Sequence, residues 1–364
     1  MSLGLSLYID VMRFGLALIV FLAHLSSAEY TGGFLWRVFP FAQPAVIGFF
    51  VLSGFVIAYV AENRERDGFS FTISRISRLY SVVIPALILT AICDSIGWSV
   101  NYPHYLHAPL DIGTSYIMFR YLVNFFMAAS LGGLHFLAGT TDFQAGTNGP
   151  FWSLSNEIVY YIGFGIIFLG QTPHRYLLLI VLALIAGLHI IILAPLWILG
   201  VVIFKLVRQK PCPAWLSIGL FSLSCTMFVV SGIPSVATWC DQWRVFGRPI
   251  FQDYTSGVAV AMNIFAASGV ANIIEQSLYS VEKFIRWLGL LTFPLYLCHR
   301  PLLQFITGFP VAPVGNPVET IWIVVSVFAV VVPMTVLSEK IRKTMRVSLN
   351  TWVLVEKVRV TTER

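Results

Sequence analysis

Charge is what this sequence lacks. Only 11% of its 364 residues are Asp, Glu, Lys or Arg, against about a quarter in an ordinary soluble domain. A soluble globule of this size needs far more polar surface, so a soluble enzyme is excluded, as are a disordered chain, a coiled coil and a collagen-like chain. Cysteine is scarce too. Cys93, Cys212, Cys225, Cys240 and Cys298 show no CxxC or metal-finger spacing, and apolar packing is their default use. No Lys or Arg precedes the first apolar run, 7–25, and Arg13 sits inside that run, just ahead of its uninterrupted stretch 14–23. Although Ser26-Ser27-Ala28 resembles a cleavage site, the segment reads as a retained first helix rather than a signal peptide.

What is present is apolar. Hydrophobic residues make up 57% of the chain, and the mean hydropathy is +0.82. These values demand a polytopic membrane protein, an all-α helical bundle. Apolar runs fall at 7–25, 41–61, 79–97, 115–137, 151–169, 176–193, 195–206, 214–233, 254–274, 287–307 and 318–338. The longest connections, 98–114 and 234–253, are too short to fold alone. The reading is a membrane domain over 1–338 and a basic tail over 339–364, which carries seven Lys/Arg and three Glu. A basic tail beside a span reports orientation or contact with anionic lipid in the bilayer, not nucleic-acid binding.

Positive charge decides how many runs cross. If all eleven do, with the N-terminus inside, then the tail, Lys205, Arg208, Lys210, Lys283 and Arg286 all end outside, against the positive-inside rule. The run 115–137 carries Arg120, Asn124 and a Gly132-Gly133 break. With this run re-entrant or interfacial, 17 of the 23 Lys/Arg lie inside, and the outer loops keep Arg37, Arg244 and Arg248. The expectation is therefore ten spanning helices with both termini cytoplasmic.

Ionisable residues inside spans are functional candidates by default. The first helix holds Asp10, Arg13 and His24. Eleven residues separate Arg13 from His24, about three turns and roughly 16 Å, so the two share a face. Asp10 lies within ion-pair reach of Arg13. Arg75 and Arg78 lie at i, i+3 at a cytoplasmic helix end, where two guanidinium forks suit phosphate or merely anchor the span. Gly149-Pro150 starts a helix that carries Trp152 as an interface anchor, Glu157 two turns in, and Tyr160 and Tyr161 beyond. Tyr296-Leu297-Cys298-His299-Arg300-Pro301 falls within the 287–307 run.

Taken together, these motifs resemble the acyltransferase 3 family, the integral-membrane O-acyltransferases of carbohydrates. The matching residues are Asp10-x-x-Arg13 followed by His24, Phe49-Phe50-Val51-Leu52-Ser53-Gly54-Phe55, Arg75-x-x-Arg78-Leu79-Tyr80, Phe151-Trp152-Ser153-Leu154 to Glu157, and Tyr296-Leu297-x-His299. They occur in family order from residue 10 to 301. Departures are Ser81 after Tyr80, where the family often has proline, and Ser155-Asn156 before Glu157. The chain looks like the stand-alone type, with no C-terminal esterase-like domain.

The resemblance implies an enzyme of a bacterial inner (cytoplasmic) membrane. It implies transfer of an acyl group, most often acetyl, from acyl-CoA to a hydroxyl of a cell-surface or lipid-linked carbohydrate. On that reading Arg75 and Arg78 hold the donor's phosphates, and Arg13 lines the donor's path or stabilises negative charge. His24 is a general base, or forms a transient acyl-histidine. Glu157 orients His24 or assists proton transfer. Asp10, Trp152, Tyr160, Tyr296 and His299 are acceptor-side or supporting residues, and no metal is expected. The rival reading is a transporter or flippase for a lipid-linked sugar.

Overall fold

The computed structural model describes residues 1–63, 65, 67–105, 114–138, 143–169 and 173–362. Arg64, Arg66 and Arg364 of the charge count, and residues 106–113 of the 98–114 connection, lie outside them. Among the described residues the chain is all-α apart from a two-stranded antiparallel turn, β1 (Arg244–Val245) with β2 (Arg248–Pro249). The helices are α1 (Leu3–Leu25), α2 (Ala28–Thr31), α3 (Ala42–Asn63), α4 (Gly68–Val100), α5 (Tyr102–Tyr105), α6 (Thr114–Phe125), α7 (Gly132–Ala138) and α8 (Trp152–Phe164). They continue with α9 (Arg175–Ala186), α10 (Leu188–Ile191), α11 (Ala194–Gln209), α12 (Ala214–Ser231), α13 (Pro234–Asp241), α14 (Ile250–Leu278), α15 (Glu282–Thr307) and α16 (Pro317–Thr362). A π-helical segment, Gly165–Leu169, prolongs α8.

Among the described residues, seven helical segments are long and apolar enough to cross a bilayer: Leu3–Leu25, Trp36–Asn63, Gly68–Val100, Leu188–Gln209, Ala214–Ser231, Ile250–Ala271 and Pro317–Trp352. The protein is thus a multi-pass membrane bundle. Its outer surface inverts that of a soluble protein. On α4, Ile88, Ile92, Ile96 and Val100 are exposed at four-residue spacing, one continuous stripe on a helix. The core forms around α1 and α15, which pack on each other and bury Leu7, Phe21, Leu295, Leu297 and Leu303. Helices α3 and α11 cross at two glycines. A Cβ on Gly54 would lie 1.9 Å from the Trp197 carbonyl oxygen, and one on Gly200 would lie 2.0 Å from that of Val51. Small residues permit this approach, which favours helix packing in lipid.

The 115–137 run is not one helix. It divides into α6 and α7, of 12 and 7 residues, each well short of the roughly 20 that span a bilayer. The break falls at 126–131, where Met127 has φ +52°, rather than at the glycine pair. Side chains from neighbouring elements satisfy the irregular backbone. The Ser130 amide donates to Ser155 Oγ at 3.0 Å, its carbonyl meets His189 Nε2, and His135 Nε2 lies 2.8 Å from the Ala129 carbonyl. Non-helical backbone at membrane depth requires such partners. Gly132 instead abuts Gly187, the residue at which α9 ends with φ +82°. The division within 176–206 consequently falls at Gly187, ahead of Pro195, and Leu188–Gln209 forms the long apolar segment. At the C-terminus, α16 runs on through the basic segment as far as Thr362.

Candidate active site

Two cavities lie end to end inside the bundle. The first is lined by Arg13, Phe49, Ser53, Arg78, Glu157, Tyr161, Thr292 and Tyr296, among others. The second is lined by His24, Ser27, Phe39, Ser130, His135, Gln144, Trp152, Tyr296 and Arg300, among others. Their order along each helix is consistent. On α1 the first cavity takes residue 13 and the second residues 20 and 24. On α15 the first takes 292 and 293 and the second takes 300. Val46 and Tyr296 line both cavities, so these two side chains form the wall between them. Tyr296 Oη is 2.8 Å from Ser153 Oγ, which fixes its ring.

The first cavity collects Arg13, Arg78 and Glu157. Asp10 does not neutralise Arg13 closely, since the two are 4.0 Å apart. Its carboxylate is taken by Arg286 Nη1 at 2.6 Å, a partner 276 residues away. Arg13 is thereby left to face the cavity. Glu157 Oε1 accepts hydrogen bonds from Ser53 Oγ at 3.2 Å and from the Tyr161 hydroxyl. The fold brings Glu157 to the arginines of this cavity and not to His24, because α8 runs away from the His24 end after Trp152. The arginine pair is also divided. Arg75 is buried, ion-paired with Glu65 at 2.5 Å and held against the rings of Phe71 and Tyr161. Only Arg78 opens into the cavity.

His24, which lines the second cavity, meets the buried His299. Nε2 of His299 lies 3.0 Å from Nδ1 of His24, and Nδ1 of His299 lies 3.0 Å from the Leu295 carbonyl oxygen. A carbonyl only accepts, so Nδ1 of His299 carries a proton. In the neutral ring its Nε2 is then an acceptor, and Nδ1 of His24 must donate to it. This chain of bonds leaves Nε2 of His24 with a free lone pair. Such a relay fixes a tautomer as a carboxylate or carbonyl partner does elsewhere. His299 is fully buried, and both its nitrogens are engaged.

The remaining sequence candidates are dispersed. Trp152 lines the second cavity and lies under the Arg248 guanidinium, 4.6 Å from its ring centre. Tyr160 is buried, with its hydroxyl donating to the Ile190 carbonyl at 2.7 Å, and joins the packing instead. Several residues escaped sequence reasoning. Asp94 is buried in α4 and accepts from the Thr147 amide at 2.9 Å and from Thr147 Oγ1 at 2.6 Å. Asn148 donates to Thr90 Oγ1 and to the Leu297 carbonyl, both at 2.8 Å. Together they hold the loop before α8 against α4 and α15. The criterion that selects Asp10, an acid within an apolar run, selects Asp94 equally. Arg248 pairs with the fully buried Asp253 at 3.7 Å, and burial lowers its pKa from the ordinary arginine value.

The fold and these cavities define a multi-pass membrane protein with two internal cavities, one holding Arg13, Arg78 and Glu157 and the other His24, His135 and Arg300. The family model described as an acyltransferase domain, acyltransferase 3, matches residues 6–338. The chain belongs to this family and is a membrane acyltransferase. No curated protein and no solved structure matches it.

Proposed function

We propose that the protein moves an acyl group, acetyl as the first expectation, from a coenzyme A thioester to a hydroxyl of a cell-surface or lipid-linked carbohydrate. The observation that carries this reading is the meeting of two chemically different cavities at one wall, with His24 on one side and Arg13 and Arg78 on the other. The donor enters the Arg13 cavity. Arg78 holds its phosphates, since guanidinium forks match phosphate oxygens. Ser53, Glu157 and Tyr161 line the passage for the pantetheine arm, whose amides hydrogen-bond with such groups. The thioester reaches Tyr296, and that side chain turns aside to admit the thioester carbonyl to the His24 cavity.

The acceptor hydroxyl approaches Nε2 of His24 from the second cavity. His24 takes its proton as general base while the oxygen attacks the thioester carbonyl carbon. The tetrahedral oxyanion collapses, the carbon–sulfur bond breaks, and the imidazolium returns its proton to the thiolate. The products are the O-acyl sugar and free coenzyme A. His299 keeps Nδ1 of His24 protonated throughout. Ten spans with both termini in the cytoplasm of a bacterium put the Arg13 cavity on the side where acyl-CoA is made, in accord with the distribution of Lys and Arg.

The test uses purified protein in lipid nanodiscs, [14C]acetyl-CoA and envelope carbohydrate. Label should appear on the carbohydrate in an alkali-labile ester, and His24→Ala should abolish it while inserting normally. A wall between two cavities also suits a carrier that opens to alternate sides. A carrier would leave the label on coenzyme A, and that result defeats the enzymatic reading.

A further inference from the structure

Arg300 follows His299 on α15 and lines the second cavity. Its guanidinium is always charged. Three other buried or half-buried arginines each face a carboxylate: Arg75 meets Glu65 at 2.5 Å, Arg286 meets Asp10 at 2.6 Å and Arg248 meets Asp253 at 3.7 Å. Among the described residues, no carboxylate pairs with Arg300. Neutral groups hold it. Its Nη1 donates to the Tyr30 hydroxyl at 3.4 Å, and its head lies 5.9 Å from that ring. Tyr30 in turn donates to Gln304 Oε1 at 2.9 Å, and Gln304 Nε2 donates to the His104 carbonyl at 2.9 Å. The cation is steadied in place with donor capacity unspent.

A charge half withdrawn from water without a counter-charge is unfavourable until an anion meets it. The direction of the side chain says what kind of anion. Adjacent helix residues point about 100° apart. His299 turns to His24, while Arg300 turns to Tyr30. Its guanidinium therefore stands to one side of the histidine pair, where it meets a substituent of the acceptor rather than the carbonyl under attack. We propose that Arg300 recognises a carboxylate or phosphate on the acceptor, and that the acceptor is an acidic carbohydrate. This inference rests on the reading that the His24 cavity receives the acceptor.

Two measurements test it on the full-length protein in nanodiscs. The first is binding, read by isothermal titration with trigalacturonate, galactose 1-phosphate and neutral trigalactose. At least one anionic probe should bind, with trigalacturonate marking a uronate and galactose 1-phosphate a glycosyl phosphate. Arg300→Gln should weaken that binding roughly tenfold or more, and Arg300→Lys should restore part of it. Equal affinity for trigalactose, no binding of either anion, or no effect of Arg300→Gln overturns the proposal. The second is transfer from [14C]acetyl-CoA to the same probes. Arg300→Gln should raise KM for the anionic acceptor and leave kcat unchanged. A fall in kcat shared by acidic and neutral acceptors assigns Arg300 to the reacting carbonyl and overturns acceptor recognition. Anion binding without any transfer defeats the enzymatic reading alone, and transfer without preference for acidic acceptors defeats this inference alone.

Discussion

Replacement of His299 by alanine isolates the relay to His24. The ring nitrogen Nδ1 of His24 would lose its acceptor at 3.0 Å within a half-buried site. A buried donor left unmet costs about 1–3 kcal/mol. The same energy had fixed the tautomer that frees Nε2, so it appears in the barrier as a fall in kcat of roughly 5- to 150-fold. Loss of a general base outright, as in His24→Ala, costs roughly 10²- to 10⁴-fold. His299→Gln supplies a side-chain carbonyl and should recover part of the activity. KM for acetyl-CoA should not move in any of these variants, because Arg13 and Arg78 lie in the other cavity. The assay is label transfer in nanodiscs, with insertion checked by size-exclusion chromatography. Unchanged kcat in His299→Ala refutes the relay. A loss as severe as that of His24→Ala, without recovery in His299→Gln, makes His299 more than an orienting group.

Arg78→Ala should weaken acetyl-CoA binding by roughly tenfold to a hundredfold in titration calorimetry, with little change in the thermal midpoint. Arg75→Ala should do the reverse, since it strands the buried Glu65 carboxylate at about 3–5 kcal/mol; loss of coenzyme A binding without a thermal shift would contradict that division of roles. Gly200→Ala forces a methyl group to within 2.0 Å of the Val51 carbonyl oxygen and should yield aggregated protein on size exclusion; a monodisperse, active variant would contradict the close α3–α11 crossing. A truncation fused at residue 145 to a periplasmic reporter should be active, and cytoplasmic activity there would overturn the ten-span topology.

The parts of this protein visible in the sequence are those that depend on local spacing. The shared face of Arg13 and His24 follows from helical pitch, and the start of the Glu157 helix from Gly149-Pro150. The polar content and paired glycines of 115–137 predict its interruption, though the break falls at 126–131. Partners distant in the chain were not legible. Asp10 sits three residues from Arg13, which suggests a pair, yet Arg286 holds it because α1 and α15 pack side by side. Arg75 and Arg78 share a helical face to within a fraction of a turn, but Glu65 in the preceding connection draws one of them out of the cavity. Glu157 lies with Arg13 rather than His24 because of the direction of α8, which local spacing does not carry. Gly187 had no feature to distinguish it among 27 glycines until its backbone was seen against Gly132.

The thin wall of Val46 and Tyr296 has an electrical consequence. The two cavities adjoin it on opposite sides, so the layer that separates them is these side chains rather than the full hydrocarbon thickness of about 30 Å. A membrane potential then falls mostly across that layer. Each elementary charge that crosses it exchanges about 2.3 kcal/mol with every 100 mV. A small residue in place of Tyr296 would therefore do more than join two chambers. It would convert the protein into a leak, measurable as proton conductance in sealed vesicles with no substrate present.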